Sequence, residues 1–345
     1  MKKYLVFLLL VSFCLSGCGK VQETKVVNAN QDEEKIQIGM LFDTFVIERW
    51  QIDRDIFVSD AKELGAEVDV QNANGDADKQ VEQMNYFINQ KVDVIVVVPI
   101  DGKKLAASIK KAKEAGIKII SYDRLVPDAN TDLYISFDNE TVGKLMGEAI
   151  KNRIGSSDSI LMVCGPKSDS NVSMVNLGFQ KELSGSRINV RDIFYTPGWK
   201  AEYAYDYMET WEKNIGDIKA IMCGNDNVAG EVIQMLSEQR LAGEVCVVGQ
   251  DADLDACQRI VEGTQYMTVY KPFDQLASKA AQEAVKLAKG EDLEADDTIN
   301  DGTYEIPYIK IQPIAVTMDN MNEIIIDSGF HLKEDVYLNR PELMN

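Results

Sequence analysis

The segment GIKIISYDR (Gly116–Arg124) ends a short β-branched run with the charged pair Asp123 and Arg124. In an open parallel sheet, ligands bind in the crevice outside the carboxyl ends of the strands. At such an end, a carboxylate that accepts hydrogen bonds and a guanidinium that donates them can hold a hydroxyl-bearing ligand between them. Taken alone, Asp123 and Arg124 could equally form an ion pair with each other on a loop, with only a structural role.

Similar polar or aromatic groups follow other apolar runs of the chain, namely Glu48–Trp50, Asp169–Asn171, Gly198–Trp199, Asn225–Asp226, Gln250–Asp251 and Tyr270–Pro272. Together with Asp123 and Arg124, they supply two tryptophans, two arginines, a lysine, carboxylates and amides, without a metal-ligand cluster or a nucleophile–base pair. Such a set suits a neutral polyol, because a pyranose offers apolar C–H faces to tryptophan and hydroxyls that both donate and accept. Carboxylates would oppose an anionic ligand, so we expect an uncharged one.

Several of these residues also have plain structural interpretations. Trp50 and Trp199 can be half-buried aromatic residues, and Asn225 can cap the helix that follows it. The stretch DADLDACQRIVE (Asp251–Glu262) has acidic residues at EF-hand positions, but Ala256 stands where that loop needs glycine. No nucleotide, cofactor or hydrolase motif occurs in the sequence, so we expect no cofactor, no metal and no catalysis. We interpret the lone His331 as polar surface.

Strands that alternate with helices must position these groups. Val92–Pro99 (VDVIVVVP) is nearly continuous in β-branched residues, which is typical of a central strand covered on both faces. A helix is predicted over Lys103–Ala115, and the strand–helix alternation repeats as far as Glu262. This order predicts an α/β fold with parallel strands, and about ten of them are too many for one ordinary sheet. We therefore predict two doubly wound parallel-sheet lobes joined by a multi-strand hinge.

The segments after Glu262 are too few to form a third domain. We predict an N-terminal lobe from residues 35–136 plus 271–301 and a C-terminal lobe from residues 137–270 plus 302–345. The chain would then cross between lobes near Ile135–Asp138, Val269–Lys271 and Asn300–Pro313. Two lobes joined in this way enclose a cleft, where we expect the ligand to bind.

The N-terminus and the overall charge bear on location. Lys2 and Lys3 precede an apolar run that is too short to span a bilayer, and that run ends in Leu15–Cys18. We predict a lipoprotein signal peptide over residues 1–17, lipidation of Cys18 and a flexible tether over residues 18–34; the alternative is an ordinary cleaved signal. The 345 residues carry a formal net charge of -20, which argues against a nucleic-acid partner.

Four further cysteines lie within the body of the chain: Cys164, Cys223, Cys246 and Cys257. They show no CxxC spacing and no histidine-rich neighbourhood, which argues against zinc. The first three fall in or beside apolar runs and are expected to pack as small hydrophobic residues. Their spacing leaves a disulfide open.

Five motifs resemble the periplasmic-binding-protein superfamily of the ribose-binding type: ERWQIDRDIF (Glu48–Phe57), SYDR (Ser121–Arg124), YISFDNE (Tyr134–Glu140), GQDAD (Gly249–Asp253) and GTQYMTVYKP (Gly263–Pro272). The resemblance extends from about Lys35 to His331. Arg49 and Trp50 favour the D-xylose-binding branch, since ribose-binding relatives carry phenylalanine there. The loop Gly165–Asn171 (GPKSDSN) departs from the usual family sequence, which weakens the assignment of Asn171.

The resemblance implies the fold of a type I periplasmic binding protein and a set of sugar-binding residues. The implied set is Arg49, Trp50, Asp123, Arg124, Asn171, Trp199, Asn225, Asp251 and Lys271. It further implies a bacterial protein on the extracytoplasmic face of the membrane that passes a monosaccharide to an ABC permease. A sensor subunit that docks on a membrane histidine kinase or chemoreceptor remains an alternative, and an exported sugar enzyme is a weaker one. The sequence does not fix which sugar binds.

Overall fold

The computed structural model of the protein describes residues 35–46, 49–295 and 297–344. The predicted signal peptide, the tether and the lipidation site Cys18 lie outside the described residues. Two β-sheets with interleaved helices form the described part, so the predicted α/β fold is confirmed. Among the described residues, no helix has both the length and the apolar character needed to cross a membrane.

Thirteen strands are described: β1 (Ile36–Phe42), β2 (Ala66–Asn72), β3 (Val94–Val97), β4 (Lys118–Tyr122), β5 (Leu133–Phe137), β6 (Ser159–Cys164), β7 (Asn189–Tyr195), β8 (Ile218–Cys223), β9 (Cys246–Gln250), β10 (Met267–Tyr270), β11 (Asp297–Asn300), β12 (Glu305–Ile311) and β13 (Ile314–Val316). Ten α-helices are described: α1 (Arg49–Glu63), α2 (Ala77–Gln90), α3 (Gly102–Glu114), α4 (Asn139–Arg153), α5 (Ser170–Leu183), α6 (Glu202–Glu209), α7 (Asp226–Glu238), α8 (Leu254–Glu262), α9 (Phe273–Lys289) and α10 (Lys333–Val336). Short 3₁₀ turns and one π-helical turn complete the structure.

The first sheet has seven strands in the order β11-β12-β5-β4-β3-β1-β2, and the second has six in the order β13-β10-β9-β8-β6-β7. All pairings are parallel except those of the edge strands β11 and β13. The predicted central strand β3 lies between β1 and β4 and is buried along its whole length. Helices therefore cover it on both faces, as its continuous β-branched sequence predicts.

Each sheet lies between two layers of helices. In the first, Phe57 of α1 and Ala281 of α9 pack on one face, while Phe87 of α2 and Ile109 of α3 pack on the other. In the second, α4 and α5 cover one face and α6 and α7 the other. Burying these apolar faces is the main favourable contribution to folding.

Helix boundaries follow local sequence signals. Asp76 and Asp101 cap α2 and α3, because each side chain accepts hydrogen bonds from two backbone N–H groups of the first turn. Gly116 follows α3 with φ of +87°, as expected for the glycine that ends a helix. These caps fix where the chain turns back into the next strand.

The chain passes between the two sheets at three places: between β5 and α4, between β10 and α9, and between β12 and β13. We propose two lobes on this basis. The first lobe is defined as the first sheet with α1–α3 and α9, and the second lobe as the second sheet with α4–α8 and α10.

Sheet membership revises one part of the predicted boundary. Residues 302–345 were expected to return to the second lobe, but β12 pairs in parallel with β5 in the first sheet. Only β13 and the segment after it lie with the second sheet, where Val316, Met321 and Tyr337 pack beside α8. The boundary was misplaced because Ile306–Val316 resembles one extended segment, whereas it divides at Gln312 and Pro313 into two strands of different sheets.

Two further expectations concern single side chains. Cys164, Cys223, Cys246 and Cys257 are buried free thiols, and burial raises the pKa of Cys164 and of Cys246 to about 12. His331 is half-buried, with Nε2 2.8 Å from the carbonyl oxygen of Ala252. The interpretation of His331 as polar surface was therefore wrong, because the C-terminal segment folds back onto the second lobe.

Candidate functional site

The nine residues predicted to bind ligand surround one cavity with an empty volume of about 400 Å³. They are Arg49, Trp50, Asp123, Arg124, Asn171, Trp199, Asn225, Asp251 and Lys271, and they are joined there by Asn139, Asp169 and Gln250. The predicted residues therefore lie around one place in the fold instead of being spread over its surface.

Both lobes and a hinge segment contribute to the cavity. From the first lobe come the start of α1, with Arg49 and Trp50, and the end of β4, with Asp123 and Arg124. The second lobe contributes the starts of α4, α5 and α7 and the end of β9, while Lys271 lies in the crossing after β10. Strand ends and helix N-termini therefore converge at the carboxyl edges of two parallel sheets, where ligands are expected.

Arg49 lies between two carboxylates and two aromatic rings. Its Nη2 donates to Asp123 Oδ2 at 2.8 Å and to Asp53 Oδ1 at 3.3 Å. The guanidinium carbon lies 4.0 Å from the Trp50 ring centroid and 4.5 Å from that of Phe273. Burial disfavours the charged form of Arg49, but the nearby carboxylates outweigh it and raise its pKa, so the guanidinium stays charged.

Asp123 is held from both lobes. Arg49 donates to one carboxylate oxygen, and Nδ2 of Asn171 donates to the other at 2.9 Å. Burial alone would raise the pKa of Asp123, but the positive charges of Arg49, Lys271 and Arg124 lower it. Its backbone has φ of +63°, a left-handed conformation that non-glycine residues seldom adopt. Residues with such a strained backbone persist only where the surrounding structure holds them in place, and they are concentrated at functional sites.

Arg124 pairs with carboxylates of both lobes. Its Nη1 donates to Asp43 Oδ2 at 2.6 Å, and its Nε lies 2.7 Å from Asp169 Oδ2. Asp43 follows β1 in the first lobe, whereas Asp169 caps α5 in the second. Arg124 is thus a charged link across the cleft.

Trp199 lies on the wall formed by the second lobe. Its Nε1 donates to Asp169 Oδ2 at 3.0 Å, and its ring covers Gly165 so closely that a Cβ added there would lie 2.2 Å from a ring carbon. Trp199 has φ of +60°, and Gly198 before it has φ of +59°. The Pro-Gly turn predicted at this place therefore forms a tight 3₁₀ turn that aims the indole at the cleft.

The remaining residues of the second lobe follow β8 and β9. Asn225 Oδ1 accepts from the N–H of Val228 at 2.9 Å, so it caps α7, as the alternative interpretation held, and also lines the cavity. Asp251 and Lys271 form an ion pair at 2.5 Å, and both are buried. Asp251 has φ of +106°, which makes it the third residue lining the cavity with a strained backbone.

Three polar atoms on residues that line the cavity are buried with neither a hydrogen-bond partner nor an ion-pair partner among the described residues. They are Nε of Arg49, Nε1 of Trp50 and Oε1 of Gln250. Buried polar groups are nearly always paired, so unpaired ones indicate a polar partner outside the chain. Two donors and one acceptor match the dual character of a hydroxyl group.

The charges that line the cavity balance. Arg49, Arg124 and Lys271 face Asp123, Asp169 and Asp251, which gives three positive and three negative groups. A neutral ligand meets no net repulsion in such a site, whereas an anion or a cation would be opposed by half of the wall. The arrangement therefore suits an uncharged ligand that is rich in hydroxyls.

Three contributors are absent from the predicted ligand set. Asn139 begins α4 and donates through Nδ2 to Asn171 Oδ1 at 3.0 Å. Asp43 and Asp53 lie behind the cavity and hold the two arginines. The only signal for Asp53 was its position one helical turn after Arg49, a spacing that is common on exposed helix faces.

Comparison with known proteins is consistent with this geometry. A model of the periplasmic binding protein domain family matches residues 38–292. The chain belongs to this family. It is 41% identical to the D-xylose-binding periplasmic protein of Haemophilus influenzae, over 90% of this chain and 95% of that protein. The D-xylose-binding periplasmic protein of Escherichia coli is also 41% identical, over 90% of this chain and 96% of that protein.

A solved structure of the same fold has a sugar bound. It is an ABC transporter solute-binding protein from Clostridium phytofermentans with bound β-D-glucose. The TM-score is 0.80 at 27% identity, and the match covers 87% of this chain and 99% of that one. The type I periplasmic-binding-protein fold expected from the sequence is thereby confirmed.

Proposed function

We propose that this protein captures a monosaccharide, D-xylose foremost, in the cleft between its two lobes and delivers it to an ABC permease. The observation that carries the proposal is the convergence of nine predicted residues around one small, charge-balanced cavity. Two relatives at 41% identity are D-xylose-binding proteins, which supports D-xylose as the sugar.

The side chains suffice energetically for a useful affinity. Hydrogen bonds to charged groups contribute about 1.5–3 kcal/mol each, and a micromolar complex needs about −8 kcal/mol. Asp123, Arg124, Asp251 and Lys271 supply charged partners from both lobes, and Trp50 and Trp199 supply flat apolar surface for the ring. At the upper end of this range, four such hydrogen bonds contribute about 12 kcal/mol, which leaves about 8 kcal/mol after ordering costs of about 4 kcal/mol.

Binding and closure are coupled in this mechanism. The ligand contacts both lobes only when they are closed, so it shifts the open–closed equilibrium toward the closed form. The closed form then presents a defined surface to the membrane partner. The three crossings between the sheets are the hinge about which the lobes would move.

We further propose that the protein stands on the extracytoplasmic face of the cell membrane, anchored through lipid on Cys18. The support is the sequence alone: Lys2 and Lys3, a short apolar run and the Leu15–Cys18 motif. Labelling with a radioactive or alkyne-bearing fatty acid tests this, with Cys18→Ser as the variant that should lose the label.

Calorimetric titration with D-xylose, D-ribose, L-arabinose, D-glucose and D-galactose tests the proposed ligand. D-Xylose is expected to bind one-to-one with a micromolar or lower Kd and more tightly than the other four. Small-angle scattering on the same samples should show a smaller radius of gyration with D-xylose. If none of the five sugars releases or absorbs heat, the proposal fails.

A further inference from the structure

Asp53 and Tyr122 form a buried pair directly behind the proposed sugar site without lining it. Both side chains have 0% exposure, and the Tyr122 hydroxyl donates to Asp53 Oδ1. Arg49 Nη2 donates to the same Asp53 oxygen. Burial raises the pKa of Asp53, while the Arg49 guanidinium and the Tyr122 hydroxyl oppose that rise.

This pair connects the two elements that carry the ligand residues of the first lobe. Asp53 lies on α1 one turn after Arg49, and Tyr122 is the last residue of β4, directly before Asp123. The hydrogen bond from the Tyr122 hydroxyl to the Asp53 carboxylate therefore fixes the start of α1 relative to the end of β4. Misplacing either element by an ångström would disturb a site that needs tight geometry.

Arg49 has two carboxylate partners with different positions. Asp123, at 2.8 Å, lines the cavity, whereas Asp53, at 3.3 Å, lies on the far side. With Asp53 in place, the charge of Arg49 is shared, and Asp123 keeps carboxylate lone pairs for other donors. Without Asp53, a buried guanidinium would have Asp123 as its one remaining ion-pair partner among the described residues and would compete with any ligand for it.

We propose that Asp53 and Tyr122 are positioning residues of the sugar site: they hold Arg49 from behind so that its free Nε and the Asp123 carboxylate are presented to the ligand. This inference rests on the proposed sugar-binding function. Nε of Arg49 is buried and lacks a partner, which fits a donor kept for a ligand hydroxyl. The Trp50 and Phe273 rings confine the guanidinium plane, so its in-plane donors have fixed directions.

The test is a double-mutant cycle on the full-length protein, with D-xylose as the calorimetric probe. Single variants are Asp53→Asn and Tyr122→Phe, and Arg49→Lys is combined with each. Asp55→Asn is the matched control, since Asp55 lies on the same helix, is exposed and pairs with its neighbour Arg54. Wild-type binding is measured first, because absence of any heat would refute the proposed function itself.

Asp53→Asn is expected to weaken D-xylose binding about tenfold and Tyr122→Phe about threefold, while Asp55→Asn binds like the wild type. When Arg49 is already lysine, each of the two substitutions should weaken D-xylose binding less than twofold, because Asp53 and Tyr122 act through Arg49. A merely structural role would give the same loss in either background. If Asp53→Asn does not fold, the Tyr122→Phe cycle decides alone.

Two results would overturn the inference while leaving sugar binding intact. One is wild-type affinity in Tyr122→Phe and in a folded Asp53→Asn. The other is a loss that persists unchanged when Arg49 is already lysine.

Discussion

Arg124 follows β4 in the first lobe and Asp169 caps α5 in the second, yet Nε of the arginine lies 2.7 Å from a carboxylate oxygen of the aspartate. Neighbouring residues form two further hydrogen bonds between the lobes: the N–H of Leu125 donates to Ser170 Oγ at 2.9 Å, and Asn171 donates to Asp123. Three consecutive residues of one lobe therefore bind three consecutive residues of the other. These contacts favour closure whichever sugar is bound.

Asp169→Asn should weaken that closure. Loss of the charge leaves Asp43 as the one ion-pair partner of Arg124 among the described residues. We therefore expect Kd to rise about tenfold for every sugar that binds, with the order of preference unchanged. Titration with D-xylose and one weaker sugar checks this, with Asp217→Asn as an exposed control in the same lobe. If affinity falls for one sugar and not for the other, Asp169 contacts the ligand directly instead of stabilising closure.

Gly165→Ala should displace Trp199. The added Cβ would lie 2.2 Å from a ring carbon, closer than any real contact, so the indole must leave its place on the cavity wall. We expect at least a tenfold loss of D-xylose affinity with little loss of stability. Gly216→Ala is the matched control, because nothing lies within 4 Å of its Cβ. Equal D-xylose affinity in the two variants would show that Trp199 does not contribute to sugar binding.

Trp50→Ala should weaken D-xylose binding about tenfold or more, through loss of the flat surface beside Arg49. Trp50 is buried, so thermal unfolding must confirm that the variant is folded at the titration temperature. Trp211→Phe, in a half-buried tryptophan away from the cavity, should bind as the wild type does. Intact affinity in folded Trp50→Ala would mean that the sugar lies elsewhere.

Lys271→Met should lower both stability and affinity. It leaves the Asp251 carboxylate buried without its ion-pair partner, and breaking such a pair costs about 3 kcal/mol or more. Adding Asp251→Asn should restore much of the melting temperature but not D-xylose binding, since both groups line the cavity. Recovery of binding in the double variant would contradict a direct role for the pair.

Asp226 should make stability depend on pH. Burial raises its pKa to about 7, opposed by Arg259 and by hydrogen bonds from Thr268 and Gln265. The folded state then holds a proton that the unfolded state releases above about pH 4. The contribution of Asp226 to the free energy of unfolding should therefore decrease as the pH rises from about 4 to about 7. Above about pH 7 it should stay constant. Melting temperatures of wild type and Asp226→Asn from pH 5 to 8 check this; parallel profiles would contradict it.

Much of the fold and of the site was predictable because local signals agreed with the global arrangement. β-Branched runs such as β3 mark buried parallel strands, and polar groups directly after strands mark the ligand edge. Asp123 and Asp251 could be predicted on that ground alone. Their side chains lie at the cavity because the sheet fixes where a strand ends.

Contacts set by tertiary packing were not predictable. Nothing local distinguishes Asp53, which is fully buried, from the exposed Asp55 two residues later on the same helix. The pairing of β12 with β5 also depends on how the chain returns: a crossing was predicted near Asn300–Pro313, but not that it lies at the end of that range, after β12. In the same way, the left-handed backbone of Trp199 follows from its turn and not from its residue type.

A crystal structure of the protein grown with saturating D-xylose would show whether the sugar binds between the two lobes. We expect one pyranose in the cavity, with hydroxyls within hydrogen-bond distance of Asp123, Arg124, Asp251 and Lys271 and its ring against Trp50 or Trp199. Sugar density outside this cavity, or an unoccupied cavity at saturation, would contradict it.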